Sequence, residues 1–276
     1  MTGLPADLTS ALDDLVALAR AGCSVLVASD FDGVLADLVD DPEASRPRPE
    51  ATAALTVLAR AGEHVVLALV SGRDVATLAR LSGAPAGTVL IGSHGAERGV
   101  VAPDGTLDAR PLDLPAADAA RLEAVVTTLE DVAARGDGAW VERKPTSAVL
   151  HVRLVAREHA EELRADALAR VRALGVDAML GKDVVDCNVV TTSKGAALTA
   201  LGAETDAART LYLGDDVTDE RAFAALGPDD VTVRVGPGDT VARFRVPGTA
   251  AAASVLAHVG GAVTTSQAPR TGEPGP

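Results

Sequence analysis

The chain has 276 residues, 47% hydrophobic and 23% charged, which is length enough for one large or two modest domains around a substantial buried core. A formal net charge of -14 argues against general nucleic-acid binding and gives an anionic ligand no help from the overall field. Two cysteines, Cys23 and Cys187, are too few for a disulfide framework, and 2% aromatics leave the core to aliphatic residues and alanine.

The chain opens with an amphipathic helix carrying Leu8, Leu12, Leu15 and Leu18 on one side. It has no basic n-region followed by an apolar block, and no apolar run approaches the ~18 residues of a membrane span. The expectation is a cytoplasmic protein with neither membrane nor nucleic-acid partners. Oligomeric state is not legible, and a monomer is the default.

Residues 24–29, "SVLVAS", form a short apolar run of the kind buried on both faces of a sheet. It ends on "DFDG", with Asp30 and Asp32 one residue apart where strand meets loop. Open α/β sheets bind ligands at that end of their strands. Gly33 allows a tight turn there. An EF-hand is a poor fit, because Val34 offers no oxygen at the fifth position and Asp41 stands at the twelfth.

A Pro-rich connector leads to a helix near 49–61, then a second buried strand in "EHVVLALVSGR" and a helix near 74–81. Ser71, Gly72 and Arg73 open that helix, where a hydroxyl and free N–H groups can cradle a phosphate. Ser is also a common N-cap with no further role. "GTVLIGSHGAE" supplies a third strand. Strands alternating with helices argue for βαβ units and a parallel sheet.

Residues 105–187 have a different rhythm: helix 115–135, strands 139–144 and 147–155, helix 157–173, and strands near 176–180 and 183–187. This α+β pattern reads as an inserted cap domain. It divides the chain into a core of 1–104 and 188–262, a cap of 105–187 and a disordered tail of 263–276. Residues two and four apart on a strand share a face. Glu142 with Lys144, and Lys182 with Asp186, therefore fit a ligand-facing sheet surface. A half-solvated sheet accounts for the same alternation.

The βαβ pattern resumes with a helix near 193–202, strand "TLYLG", helix 217–226 and strand "VTVRV". Lys194 sits at a helix start, where a cation opposes the dipole. A phosphate is one reason to place it there. Only Lys144, Lys182 and Lys194 of the 25 basic residues are lysine. Asp215, Asp216, Asp219 and Glu220 follow a strand-end glycine and suggest a hard-cation site.

"DFDGVL", "SGR", "SKG" and "GDDVTDE", in this order, resemble the haloacid-dehalogenase (HAD) superfamily. With "GSHGAE", "VERK…HVR" and "GKDVVD", the chain is most similar to the trehalose-6-phosphate phosphatases over about residues 24–260. The resemblance implies an α/β fold, a HAD-like Rossmannoid core with a parallel sheet plus an inserted cap. It also implies Mg2+-dependent hydrolysis of a phosphorylated disaccharide through an aspartyl-phosphate. Asp30 is then the nucleophile, Asp32 the general acid and base, and Lys194 with Ser71, Gly72 and Arg73 the phosphate-binding set. Asp30, the Asp32 carbonyl and Asp215 hold Mg2+, with Asp216 and Asp219 behind them. Glu142, Lys144, Arg153, Lys182 and Asp186 grip the sugar as the cap closes, with His94 and Glu97 contributing at the core–cap junction.

His151 reads as a structural residue packed under Arg153, and Trp140 and Tyr212 read as packing residues of cap and core. Val34 replaces the family's usual Thr without disturbing the turn. Asp186 replaces its usual Glu, which leaves a related disaccharide or glycosyl phosphate open as substrate. A non-catalytic sugar-phosphate-binding regulator is a further alternative, opposed by the retained Asp30, Asp32, Lys194 and Asp215.

Overall fold

The computed structural model describes residues 3–109, 114–181, 183–190 and 192–265, which divide into two compact units. The first unit comprises the described residues up to 109 and from 192 onward; the second comprises those between.

In the first unit, α1 (Ala6–Arg20) precedes β1 (Val25–Asp30), α2 (Pro49–Leu58), β2 (Val65–Val70), α3 (Val75–Ser82), β3 (Val89–Gly92), β4 (Glu97–Val101) and β5 (Leu107–Ala109). The second unit holds α4 (Ala116–Ala133), β6 (Trp140–Arg143), β7 (Ser147–His151), α5 (Arg157–Ala173), β8 (Asp177–Gly181) and β9 (Val184–Asn188). The first unit then resumes with α6 (Lys194–Glu204), β10 (Arg209–Gly214), α7 (Val217–Ala225), β11 (Val231–Val235), β12 (Phe244–Val246) and α8 (Thr249–Thr265). The rest of the stretch expected as a tail, residues 266–276, lies outside the described residues. Among those described, no helix is long and apolar enough to cross a membrane.

The large sheet runs β12-β11-β10-β1-β2-β3-β4-β5, parallel except at β4 and β5. Every residue of β1 is buried because both sheet faces are covered. Val25 and Val27 join the core formed with α1, α2, α3 and α8. Leu26 and Ala28 join the opposite one, with Leu198 and Leu201 of α6 and Phe223 of α7. From β1 the chain winds outward through β2 and β3, then returns on the other side with β10 and β11. That reversal opens a crevice beyond the carboxyl ends of β1 and β10, the place where such sheets bind ligands.

The second unit is a four-stranded antiparallel sheet, β6-β7-β9-β8, backed by α4 and α5. Ala148, Leu150, Val185, Cys187 and Ala178 face the helices and are buried. Glu142, Val149, Asp186 and Met179 lie side by side across the four strands on the other face. Glu142 and Asp186 are thus two strands apart, about 10 Å at the usual strand spacing.

Two sequence expectations need correction here. The strand expected over 147–155 stops at His151, because its partner β9 begins at Val184 directly opposite. Arg153 and Leu154 lie in a turn, with Leu154 73% exposed, so Arg153 is not on the sheet face. Likewise β6 ends at Arg143. Lys144 belongs to the hairpin turn, its N–H donating to the Ser147 carbonyl at 2.8 Å. Lys182 lies outside the described residues.

Candidate active site

Asp30 ends β1, the central strand, and is almost fully buried. Its Oδ1 accepts the Phe31 N–H at 2.7 Å. Its Oδ2 lies 3.0 Å from Lys194 Nζ. Lys194, the first residue of α6 and only 2% exposed, also donates to Asp219 Oδ1 at 2.8 Å. The cation that the sequence set against a helix dipole is therefore compensated by two carboxylates. Burial alone pushes the Lys194 ammonium down, but Asp30 and Asp219 outweigh it and hold it above its ordinary value. Burial pushes the Asp30 carboxyl well up, against the pull of Lys194.

Asp219 is wholly buried and committed on both oxygens. Oδ1 accepts from Lys194 and from the Tyr212 hydroxyl at 2.6 Å; Oδ2 accepts the N–H groups of Asp215 at 2.8 Å and Asp216 at 3.1 Å. Asp216 caps α7, accepting from Thr218 and Asp219 in a reciprocal capping box. The sequence marks Tyr212 as packing alone. A buried phenol in an otherwise aliphatic strand must find a partner for its O–H, and that is the signal that points to Asp219.

Asp30, Asp215 and Asp219 each bring an oxygen within 4.8 Å of the other two. Since Asp219 is saturated, Asp30 and Asp215 carry the open coordination positions. Burial, then Asp219 and Asp216, push the Asp215 carboxyl up to about 7, despite Lys194 and Arg234. An all-oxygen cluster with negative charge in excess of its one buried ammonium fits a hard divalent cation. Gly33 makes the cluster possible. It adopts φ +75°, and a Cβ there would sit 1.9 Å from Asp215 Oδ2. Val34 is fully buried, so the residue after the turn serves the core.

Asp32 points elsewhere. Arg73 Nε donates to its Oδ2 at 2.6 Å and Nη2 to its Oδ1 at 2.8 Å, and the Ser45 hydroxyl adds a third bond at 2.8 Å. Ser45, from the Pro-rich connector, was missed in the sequence. Arg73 also lies over the Phe31 ring, 5.7 Å from its centroid. Ser71 is buried at the end of β2, and its Oγ accepts the Arg73 N–H at 3.1 Å. The His94 ring packs on Gly72, where a Cβ would meet it at 2.5 Å. Ser93 and His94 both have positive φ, 48° and 55°, uncommon for residues with side chains and a mark of local strain. Glu97 braces that turn, accepting from Ser93 Oγ at 2.6 Å and from the Val75 N–H at 3.3 Å.

The structure thus gathers Asp30, Lys194, Asp215, Asp216 and Asp219 at one end of the large sheet, and Asp32, Ser71, Gly72, Arg73 and His94 around the Arg73 segment. In the second unit, His151 pairs with Glu142, its Nε2 2.9 Å from Oε2. Trp140 stacks on His151 and is 42% exposed, so it is not buried packing.

A family model described as trehalose-phosphatase matches residues 28–255. A trehalose-phosphate phosphatase of Mycobacterium marinum is 35% identical over 212 residues, covering 75% of this chain and 52% of that protein. One from Mycobacterium avium is 37% identical over 216 residues, with the same 75% and 52% coverage. The chain spans about half the length of the curated relatives it matches. The structure of the C. albicans trehalose-6-phosphate phosphatase C-terminal domain aligns with a TM-score of 0.71 at 22% identity, over 91% of this chain and 96% of that one, a likeness of fold.

Proposed function

We propose that this chain, which belongs to the trehalose-phosphatase family, is a Mg2+-dependent phosphatase that hydrolyses trehalose 6-phosphate to trehalose and phosphate. The observation that supports it best is the buried Asp30–Lys194–Asp219 array beside Asp215 at the carboxyl ends of β1 and β10.

In this reading an Asp30 oxygen attacks phosphorus as the bond to the sugar oxygen breaks, leaving an aspartyl-phosphate. Asp32 gives the leaving oxygen its proton, then takes one from the water that cleaves the acyl-phosphate and restores Asp30. Lys194, Ser71, the Gly72 backbone and Arg73 bind the phosphoryl oxygens. His94, packed on Gly72, lines the same segment, and Glu97 holds its turn. Asp30, the Asp32 carbonyl and Asp215 would hold Mg2+, which would supply charge neutralisation for the phosphoryl group. Asp219 fixes Lys194 and the Asp215 backbone, and Asp216 caps the helix behind them.

The inserted unit, taken as the family's cap, recognises the sugar through Glu142, Lys144, Arg153, Lys182 and Asp186. A cytoplasmic setting is part of the same reading. Asp186, one methylene shorter than the family's usual Glu, favours a second reading in which the substrate is a related phosphorylated disaccharide.

The test is phosphate release with Mg2+ from trehalose 6-phosphate beside glucose 6-phosphate, sucrose 6-phosphate and a nucleotide, with EDTA and Asp30→Asn controls. Preference for trehalose 6-phosphate, lost in both controls, is expected. Equal rates on all four esters would sink the substrate, and full activity of Asp30→Asn would sink the mechanism.

A further inference from the structure

The face of the small sheet turned away from α4 and α5 carries an arrangement that the phosphoryl chemistry does not use. His151 Nε2 lies 2.9 Å from Glu142 Oε2, and since a carboxylate oxygen accepts, Nε2 is the donor. The His151 ring stacks on Trp140 with centroids 4.6 Å apart and planes within 1°. Trp140 and His151 are directly paired across β6 and β7, and Glu142 follows two residues along β6 on the same face. Asp186 lies on that face two strands from Glu142.

Trp140 is the only tryptophan in the chain, yet it is 42% exposed rather than buried. A half-solvated His–Glu pair adds little to stability. What the pair does is direct the Glu142 carboxylate towards the His151 ring. The stacked indole, in turn, fixes the plane from which His151 donates.

We propose that His151 and Trp140 are positioning residues for sugar recognition: His151 holds the Glu142 carboxylate in its binding orientation, and Trp140 clamps the His151 ring. Their role rests on the phosphatase reading above, in which Glu142 contacts the sugar. An acceptor ordered beforehand binds a sugar hydroxyl without the entropy cost of being fixed on contact.

The test compares His151→Phe, which keeps a ring for the stack but loses the donor, with His151→Gln, which supplies an N–H donor without the ring. Trp140→Ala removes the clamp, and Glu142→Ala with and without His151→Phe completes a double-mutant cycle. KM and kcat are measured on trehalose 6-phosphate and on glucose 6-phosphate, which lacks the second ring, with thermal unfolding as the folding control. For His151→Phe, KM for trehalose 6-phosphate is expected to rise about tenfold with kcat within about twofold. His151→Gln is expected to recover KM to within about threefold, and Trp140→Ala to raise it by about threefold. His151→Phe is expected to add nothing once Glu142 is alanine.

An undiminished effect of His151→Phe in the Glu142→Ala background would overturn the assignment. So would a KM for trehalose 6-phosphate within about twofold of native in both His151→Phe and Trp140→Ala. Should His151→Phe fail to fold, Trp140→Ala decides on the same criteria. If the unmodified chain shows no preference for trehalose 6-phosphate over glucose 6-phosphate, the phosphatase reading itself fails and takes this role with it. That result is visible before any variant is made.

Discussion

Arg73 closes on Asp32 through two parallel hydrogen bonds, Nε to Oδ2 at 2.6 Å and Nη2 to Oδ1 at 2.8 Å. A bidentate guanidinium is among the stronger partners a carboxylate can have. If Asp32 is the acid that protonates a leaving sugar, this clasp must loosen as the phosphoryl group engages Arg73. Asp32→Asn separates the two halves of that role. With p-nitrophenyl phosphate, whose leaving group needs no proton, Asp32→Asn is expected to release about one equivalent of p-nitrophenolate and then stall. With the sugar phosphate, turnover is expected to fall about 10²- to 10⁴-fold. Stopped-flow absorbance and acid-quench trapping of the phosphorylated protein measure both. Steady multiple turnover of p-nitrophenyl phosphate would remove Asp32 from the second step.

Lys194 holds two buried carboxylates apart, at 3.0 Å from Asp30 and 2.8 Å from Asp219. Lys194→Ala leaves both facing one another without a cation, a loss that for buried pairs amounts to about 3–5 kcal/mol. Asp219→Asn should be milder, because an amide oxygen can still accept from Lys194 or Tyr212 while the amide N–H₂ clashes with the backbone donors. Urea unfolding without metal is expected to rank native above Asp219→Asn above Lys194→Ala. Saturating Mg2+ should recover part of the Lys194→Ala deficit by replacing the missing positive charge.

Much of this frame is legible in the sequence, for physical reasons. β1 reads as a buried strand because Val25 and Val27 serve one core and Leu26 and Ala28 the other, leaving no polar face. α5 is read at its observed bounds, Arg157–Ala173. What escapes the sequence depends on partners far along the chain. The alternation of Leu150, Val152 and Leu154 with His151 and Arg153 continues past the point where β9 ends its pairing, and only the pairing decides that Arg153 is in a turn. β5 and β12 are three-residue edge strands, too short for periodicity to mark. Lys194 was recognisable as anomalous, but not its two acidic partners. Asp32 was recognisable as functional, but not its clasp by Arg73 and Ser45.

Asp215 makes the proposed metal site pH-dependent in a definite direction. Its carboxyl stands at about 7 in the folded chain, raised first by burial. It lies near 4 in an unfolded one. The unfolded state therefore gives up this proton first, and the metal-free fold loses stability from Asp215 as pH rises from about 4 towards 7. Metal needs the ionised form, so the apparent Mg2+ affinity is expected to weaken by about tenfold per pH unit below 7. Thermal unfolding with and without Mg2+ at pH 6 and 8 measures this. At pH 8 without metal, Asp215→Asn is expected to unfold several degrees higher than native, with no further rise on adding Mg2+. A Mg2+ response in Asp215→Asn equal to the native one would remove Asp215 from the ligand set.

Gly33 tests whether the turn after the first strand is built for the metal or merely for the chain reversal. At φ +75°, alanine costs about 1–2 kcal/mol in backbone strain wherever it is placed. Gly105 supplies the control, with φ +84° and open space around its missing Cβ. Both alanine variants pay the backbone cost and should lose similar stability from it. Only at Gly33 does the added methyl meet a side chain, Asp215 Oδ2 at 1.9 Å, so the carboxylate must swing away from Asp30. Gly33→Ala is therefore expected to lower Mg2+ affinity by at least about 10- to 100-fold, the range found when ligand orientation is lost. Gly105→Ala should leave it unchanged. Calorimetric Mg2+ titration of the two variants beside the native chain makes the comparison independent of turnover. Equal Mg2+ affinity in both would mean that Asp215 is free to move without cost, and that its approach to Gly33 has no bearing on the metal.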